Sequence, residues 1–104
     1  MKIYGLKSCD TCRKARKALP QAAYVDVRDD GLSDDDLARF HGTFGDAILN
    51  TRSTTWRGLS DAERAKAPLT LLAAHPTLMK RPVIDTGDAL YLGWTKDVQA
   101  KLGL

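Results

Sequence analysis

The hydrophobic pattern changes period along the chain. Met1-Lys2-Ile3-Tyr4 is a short apolar start, and Gly5 to Ser8 break the pattern before a helix-forming run. Residues 11–19 are mostly Ala, Arg, Lys and Leu, all good helix formers. Pro20, with no N–H to donate, stops that helix. Ala23-Tyr24-Val25-Asp26-Val27 alternates and carries β-branched side chains, which predicts a second strand. Strand, loop, helix and strand form a βαβ unit, and such a unit implies parallel strands.

The middle of the chain reads as helical. Ser33 is a good N-cap, Asp34 to Asp36 sit in the positively polarised first turn, and Leu37, Phe40 and Phe44 share one face. Residues 50–55 are polar and read as a loop. Ser60-Asp61-Ala62-Glu63 has the capping-box pattern and opens a short helix. Pro68 suits the first turn of another, which runs through Leu69, Leu72 and Ala73 and ends at His75-Pro76. His75, at that end, is placed to cap carbonyls, whereas His41 reads as a packing or surface residue.

The last third alternates again. Arg81-Pro82-Val83-Ile84-Asp85, a Thr86-Gly87-Asp88 turn and Ala89-Leu90-Tyr91-Leu92-Gly93 predict a β-hairpin. Thr95 then caps a closing helix over 96–102, with Gly103 just past its end. The order βαβ, helices, ββα predicts an α/β thioredoxin-like fold: a mixed four-stranded sheet with a helical insertion between strands 2 and 3. There is no repeat or linker, so residues 1–104 are expected to form a single thioredoxin-like domain containing the insertion at 33–79.

Composition excludes several classes. No apolar run approaches the roughly 18 residues that a membrane span needs. The start shows no signal-like apolar block and no small-residue cleavage site, so a cytoplasmic location is expected, where thiols are kept reduced. The net charge of +3 is mild, but its distribution is uneven. Lys7, Arg13, Lys14, Arg16 and Lys17 face a single acid, Asp10, in the segment 7–17. That segment can draw in a small anion or an acidic substrate such as glutathione. It is short and has no interleaved aromatic residues for stacking bases, so direct nucleic-acid binding is not expected.

The chemistry lies in the only two cysteines, Cys9-Asp10-Thr11-Cys12. Such a pair, after a strand and opening a helix within a βαβ unit, is a redox arrangement. Unpaired N–H groups of the first helical turn and the helix dipole favour a thiolate at Cys9, so its pKa is expected to fall below the roughly 8.5 of a free cysteine. Arg13 and Lys14 add positive charge nearby. Cys12, one turn on, is close enough to attack a mixed disulfide formed at Cys9. A zinc site would need more ligands, and His41 and His75 are not spaced as a ligand pair. Buried, inert thiols are the other alternative. In thioredoxin-like folds the residues opening the third strand face the cysteine loop, so Arg81 is a candidate partner and a cis Pro82 is expected. Arg52, in the polar loop, is the other cation placed to reach the site. Trp56 and Trp94 read as core or pocket-wall residues.

Three segments carry a resemblance: residues 4–15 around Cys9-Asp10-Thr11-Cys12, residues 49–57 around Asn50-Thr51-Arg52, and Met79-Lys80-Arg81-Pro82-Val83. In this order they resemble the glutaredoxin-linked arsenate reductase superfamily, and within it the YffB-like branch, with Spx-like regulators as a sister branch. The resemblance implies a thioredoxin-like fold with no bound cofactor. It makes Cys9 the nucleophile, Arg52 and Arg81 anion-facing cations, and Pro82 the cis-proline. Arg13 is the nearest further substrate-binding candidate.

Two departures stand out. The family's third arginine is missing, with Leu92-Gly93-Trp94 in its place, and Ser8 precedes the cysteine where arsenate reductases have a histidine-containing lead-in. Both argue against arsenate as the natural substrate. A thiol-dependent reductase is expected, with glutathione as co-substrate, a glutaredoxin or thioredoxin as possible partner, and a small thiol or oxyanion as substrate; the protein is expected to be monomeric. Arsenate reduction proper and a Spx-like regulator that binds RNA polymerase and is switched by a Cys9–Cys12 disulfide remain as alternatives.

Overall fold

A computed structural model describes all residues from 1 to 104. Along the chain the elements are β1 (Lys2–Gly5), α1 (Asp10–Ala18), β2 (Ala23–Asp26), α2 (Asp34–Phe44), α3 (Thr54–Arg57), α4 (Asp61–Arg64), α5 (Pro68–Ala74), β3 (Val83–Asp85), β4 (Leu90–Leu92) and α6 (Lys96–Lys101). They gather into two compact units, one of Met1–Asp30 with Arg81–Leu104 and one of Gly31–Lys80. No helix is long and apolar enough to cross a membrane.

The first unit is built on a four-stranded sheet in the order β2-β1-β3-β4. β1 and β2 are parallel, with Ile3 opposite Tyr24, as a βαβ crossover through α1 requires. β3 runs antiparallel to β1 and pairs in turn with β4 as a hairpin. Ile3, Ala15, Leu19, Ile84 and Val98 form a buried cluster, with Tyr24, Tyr91 and Trp94 packed against it. α1 therefore buries Ala15 and Cys12 and turns its arginines and lysines outward. The closing helix is capped as its sequence requires: Thr95 Oγ1 accepts the Val98 N–H at 3.2 Å, and Gly103 takes φ +82° beyond its end.

The second unit is helical. Ser33 Oγ caps α2 by accepting the Asp36 N–H at 3.1 Å, and Ser60 Oγ caps α4 by accepting the Glu63 N–H at 3.2 Å. Its buried side chains include Leu37, Phe40, Ile48, Leu71, Leu72 and Leu78. Two details depart from the sequence reading. The polar stretch read as a loop turns into α3 at Thr54, because Ser53 Oγ accepts the Trp56 N–H at 3.1 Å and closes one helical turn. The His75 imidazole faces Glu63, Nε2 to Oε2 3.9 Å, instead of capping carbonyls; only the backbone of His75 serves α5, donating to Leu71 O at 2.7 Å.

Asp26 is the buried charge of the first unit, 4% exposed. One carboxylate oxygen accepts the Lys7 N–H at 3.0 Å, and the other accepts those of Arg28 and Asp29 at 2.9 and 3.0 Å. The last two bonds turn the chain out of the sheet, so β2 stops at Asp26, one residue short of the alternating run. The first fastens the loop that leads from β1 to Cys9. Burial opposes the charge on Asp26, but the three N–H donors and the Lys7 charge outweigh it and hold the carboxyl below its usual range. The stabilisation is thus present above the ordinary aspartate pKa and is lost as pH falls through the depressed folded value. Asp26→Asn is expected to lower stability by about 2 kcal/mol near neutral pH, the scale of hydrogen bonds to a charged group. Urea unfolding across the acid range checks this: the gap from wild type should shrink as pH falls, and a gap independent of pH would refute the role of the charge.

Candidate active site

Cys9 occupies the N-cap of α1, where Ser, Thr, Asp or Asn usually stand. Its N–H donates to Leu6 O at 3.1 Å, and its own carbonyl accepts the Arg13 N–H at 3.0 Å. The loop from β1 thus closes as a tight turn directly into the helix. The side chain makes no conventional cap bond. The Cys12 N–H, the Cys12 thiol and the Arg81 guanidinium nevertheless lie near enough to its sulfur to favour charge on it. Burial disfavours the charged form, but these donors and the Arg81 charge outweigh it, so the Cys9 pKa lies below the ordinary cysteine value. Cys9 is also the accessible member of the pair.

Cys12 has the opposite environment. It is 0% exposed, and burial pushes its thiol up to about 11, against the pull of the Leu6 N–H and with the added repulsion of a Cys9 thiolate. Cys9 is therefore the first of the pair to lose its proton and Cys12 the last, and the Cys12 S–H points its hydrogen-bonding capacity at Cys9. Both sulfurs are free thiols in this structure.

Sheet register explains why Arg81 is present. β3 runs antiparallel to β1 with Val83 opposite Tyr4, so the residues just before Val83 lie beside the end of β1 and its cysteine loop. The Arg81–Pro82 peptide bond is cis, and the Pro82 carbonyl accepts the Gly93 N–H at 2.8 Å, tying the start of β3 to the hairpin. Arg13 ion-pairs with Asp10 and is exposed. Arg52 belongs to the second unit; its N–H donates to Asn50 Oδ1 at 3.1 Å and its side chain is exposed. Trp94, in the segment where the resemblance places a third arginine, packs against the core of the sheet unit. The structure thus brings Cys9, Cys12, Arg81 and Pro82 into one neighbourhood of the first unit.

Two residues of that neighbourhood went unassigned in the sequence. A Cβ on Gly5 would lie 2.6 Å from Cys12 Sγ and 3.0 Å from the Tyr24 hydroxyl oxygen. Gly5 is therefore the gap in β1 into which Cys12 and Tyr24 fit. A glycine ending a strand directly ahead of a CxxC is the signal that could have found it; nothing local marks Tyr24. The phenol stays protonated, because burial and the neighbouring Cys12 and Asp26 charges all raise its pKa. Gly5→Ala is expected to cost about 1–3 kcal/mol by overpacking. In a double-mutant cycle with Cys12→Ala the cost should fall, since the sulfur at 2.6 Å is gone and only the 3.0 Å contacts with the Cβ of residue 12 and the Tyr24 hydroxyl remain. Strictly additive unfolding energies would contradict this packing.

Comparison with known proteins shows the family and the fold. The ArsC family model matches residues 4–102. A protein of Haemophilus influenzae described as uncharacterised is 38% identical over 108 residues, covering 94% of this chain and 95% of its own. Among solved structures, a YffB protein superposes with a TM-score of 0.87 at 31% identity, over 96% of each chain. A protein related to arsenate reductase (ArsC) from Brucella melitensis superposes with a TM-score of 0.71 at 32% identity, over 99% of this chain and 94% of that one. A mixed sheet with its cysteine at the start of the first helix, an arginine and proline opening the third strand, and a family match over nearly the whole length make this chain a member of the ArsC family.

Proposed function

We propose that the protein is a glutathione-dependent thiol reductase that acts on mixed disulfides, with the Cys9 thiolate as nucleophile. The observation that carries this reading is the asymmetry of the pair: an accessible Cys9 with lowered pKa beside a buried Cys12 with raised pKa. The thiolate attacks one sulfur of a substrate disulfide of glutathione. A Cys9–glutathione bond forms, the substrate disulfide breaks, and the substrate leaves as a thiolate that takes a proton from water. A second glutathione thiolate then attacks the sulfur of the bound glutathione. This releases glutathione disulfide and regenerates the Cys9 thiolate. In sum, the mixed disulfide and one glutathione become the substrate thiol and glutathione disulfide, and the protein ends as it began.

Arg81 stabilises the thiolate both as attacking and as leaving group. Cys12, buried and protonated, serves as a hydrogen-bond donor to Cys9 and is a slow resolving thiol. Arg52 enters through its family motif, as a cation for an anionic substrate. Arsenate is expected to be a poor substrate, since Trp94 stands in the segment where the family's third arginine belongs.

Turnover of hydroxyethyl disulfide with glutathione tests the reading. Cys9→Ser should lower it by roughly a hundredfold or more, as removal of a nucleophile does. Cys12→Ser, which keeps an O–H donor, should retain most of the activity. Loss in Cys12→Ser matching that in Cys9→Ser would instead make Cys12 an obligatory resolving thiol, and arsenate turnover as fast as that of the disulfide would displace the proposed substrate.

A further inference from the structure

Between α1 and the edge strand β2 lies an open cleft of about 450 Å³ lined by Arg13, Arg16, Lys17, Pro20, Ala22 and Tyr24. Its size falls in the range of small-molecule sites. Cys9, Arg13, Arg16 and Lys17 are spaced i, i+4, i+7 and i+8, so they form one stripe along α1 that starts at the nucleophile. Arg13 is partly neutralised by Asp10. Arg16 and Lys17 have no carboxylate partner. The Arg16 guanidinium is held over the Tyr24 ring, 4.8 Å from its centroid, so it is pre-oriented at the cavity instead of moving freely in solvent.

A concave site with two unneutralised cations calls for an anion, and its place on the helix suggests which kind. At 1.5 Å rise per residue, Arg16 lies about 10 Å along α1 from Cys9. The γ-glutamyl arm of glutathione, which runs from the cysteine sulfur to a terminal carboxylate, spans about 10 Å when extended. Glutathione is an acidic tripeptide with carboxylates at its ends and the thiol between them.

We propose that the cleft between α1 and β2 binds a terminal carboxylate of glutathione through Arg16 and Lys17, anchoring the tripeptide along α1 toward Cys9. The proposal rests on the glutathione-dependent reading above and assigns it a binding site. Recognition comes from charge-assisted hydrogen bonds, bidentate from the arginine. Because the cleft is open to water, binding should weaken with salt.

The unreactive analogue S-methylglutathione, titrated into the ¹⁵N-labelled protein, separates binding from chemistry. Amide shifts are expected at Arg16, Lys17, Ala22 and Tyr24. Arg16→Gln/Lys17→Gln should weaken the fitted affinity roughly tenfold, as loss of two charge-assisted contacts does. Lys17→Gln alone leaves Arg16 stacked on Tyr24 and should weaken it by a smaller factor, so a folding defect in the double variant does not decide the outcome. The diethyl ester of the analogue, without carboxylate charge, should leave these amides unmoved. Shifts confined to other residues, unchanged affinity in Lys17→Gln and the double variant, or equal binding of the ester would overturn the proposal. Alkylation of Cys9 by uncharged iodoacetamide, measured in parallel, reports on the reductase reading alone. If Cys9 proves unreactive that reading fails, while the titration still decides the site.

Discussion

Two sulfurs on one helical turn cannot both carry a negative charge at low cost, and this constraint organises the first unit. Charge on Cys9 raises the cost of charge on Cys12, and burial of Cys12 makes the division one-sided. The helix start turns the Cys12 N–H toward the outer sulfur, while the packed side of the same helix takes the inner one. Each neighbouring feature serves that division. Gly5 leaves the space that Cys12 fills. The antiparallel pairing of β1 with β3 delivers Arg81 to the outer sulfur. Asp26, through the Lys7 N–H, fixes the loop between β1 and Cys9.

Chemical consequences follow from the same asymmetry. Pairs in which both thiols are reachable exchange by internal disulfide formation. Here the inner thiol is shielded and hard to ionise, which slows its own attack on a disulfide formed at Cys9. The positive stripe on the outer face of α1 gives an acidic thiol a reason to approach along that helix. Trp94, in the segment where the resemblance places a further arginine, is committed to the core of the sheet unit.

Much of the fold was legible because its signals are local. Ser33, Ser60 and Thr95 each announce a helix and each accepts the expected N–H. The alternation around Tyr24 and the Thr86-Gly87-Asp88 turn marked a parallel strand and a hairpin, and both are present. α3 escaped because Thr54, Thr55 and Trp56 are weak helix formers, and a single cap at Ser53 decides the matter. The site divides in the same way. Cys9 and Cys12 lie three positions apart in sequence and could be read there. The approach of Arg81 depends on strand register, and the contact among Gly5, Cys12 and Tyr24 depends on three elements at once. Asp26 looked like one polar residue in an alternating strand, and only the turn that it closes reveals its three backbone donors.

The central claim is that Cys9 is a thiolate held by the helix start and by Arg81. Its most direct test is the pH dependence of Cys9 alkylation by iodoacetamide, followed by mass spectrometry of the Cys9 peptide in wild type and in Arg81→Ala. The account predicts a wild-type midpoint below the roughly 8.5 of a free cysteine, moving upward when Arg81 is removed. A midpoint at or above that value, or one indifferent to Arg81, would contradict it.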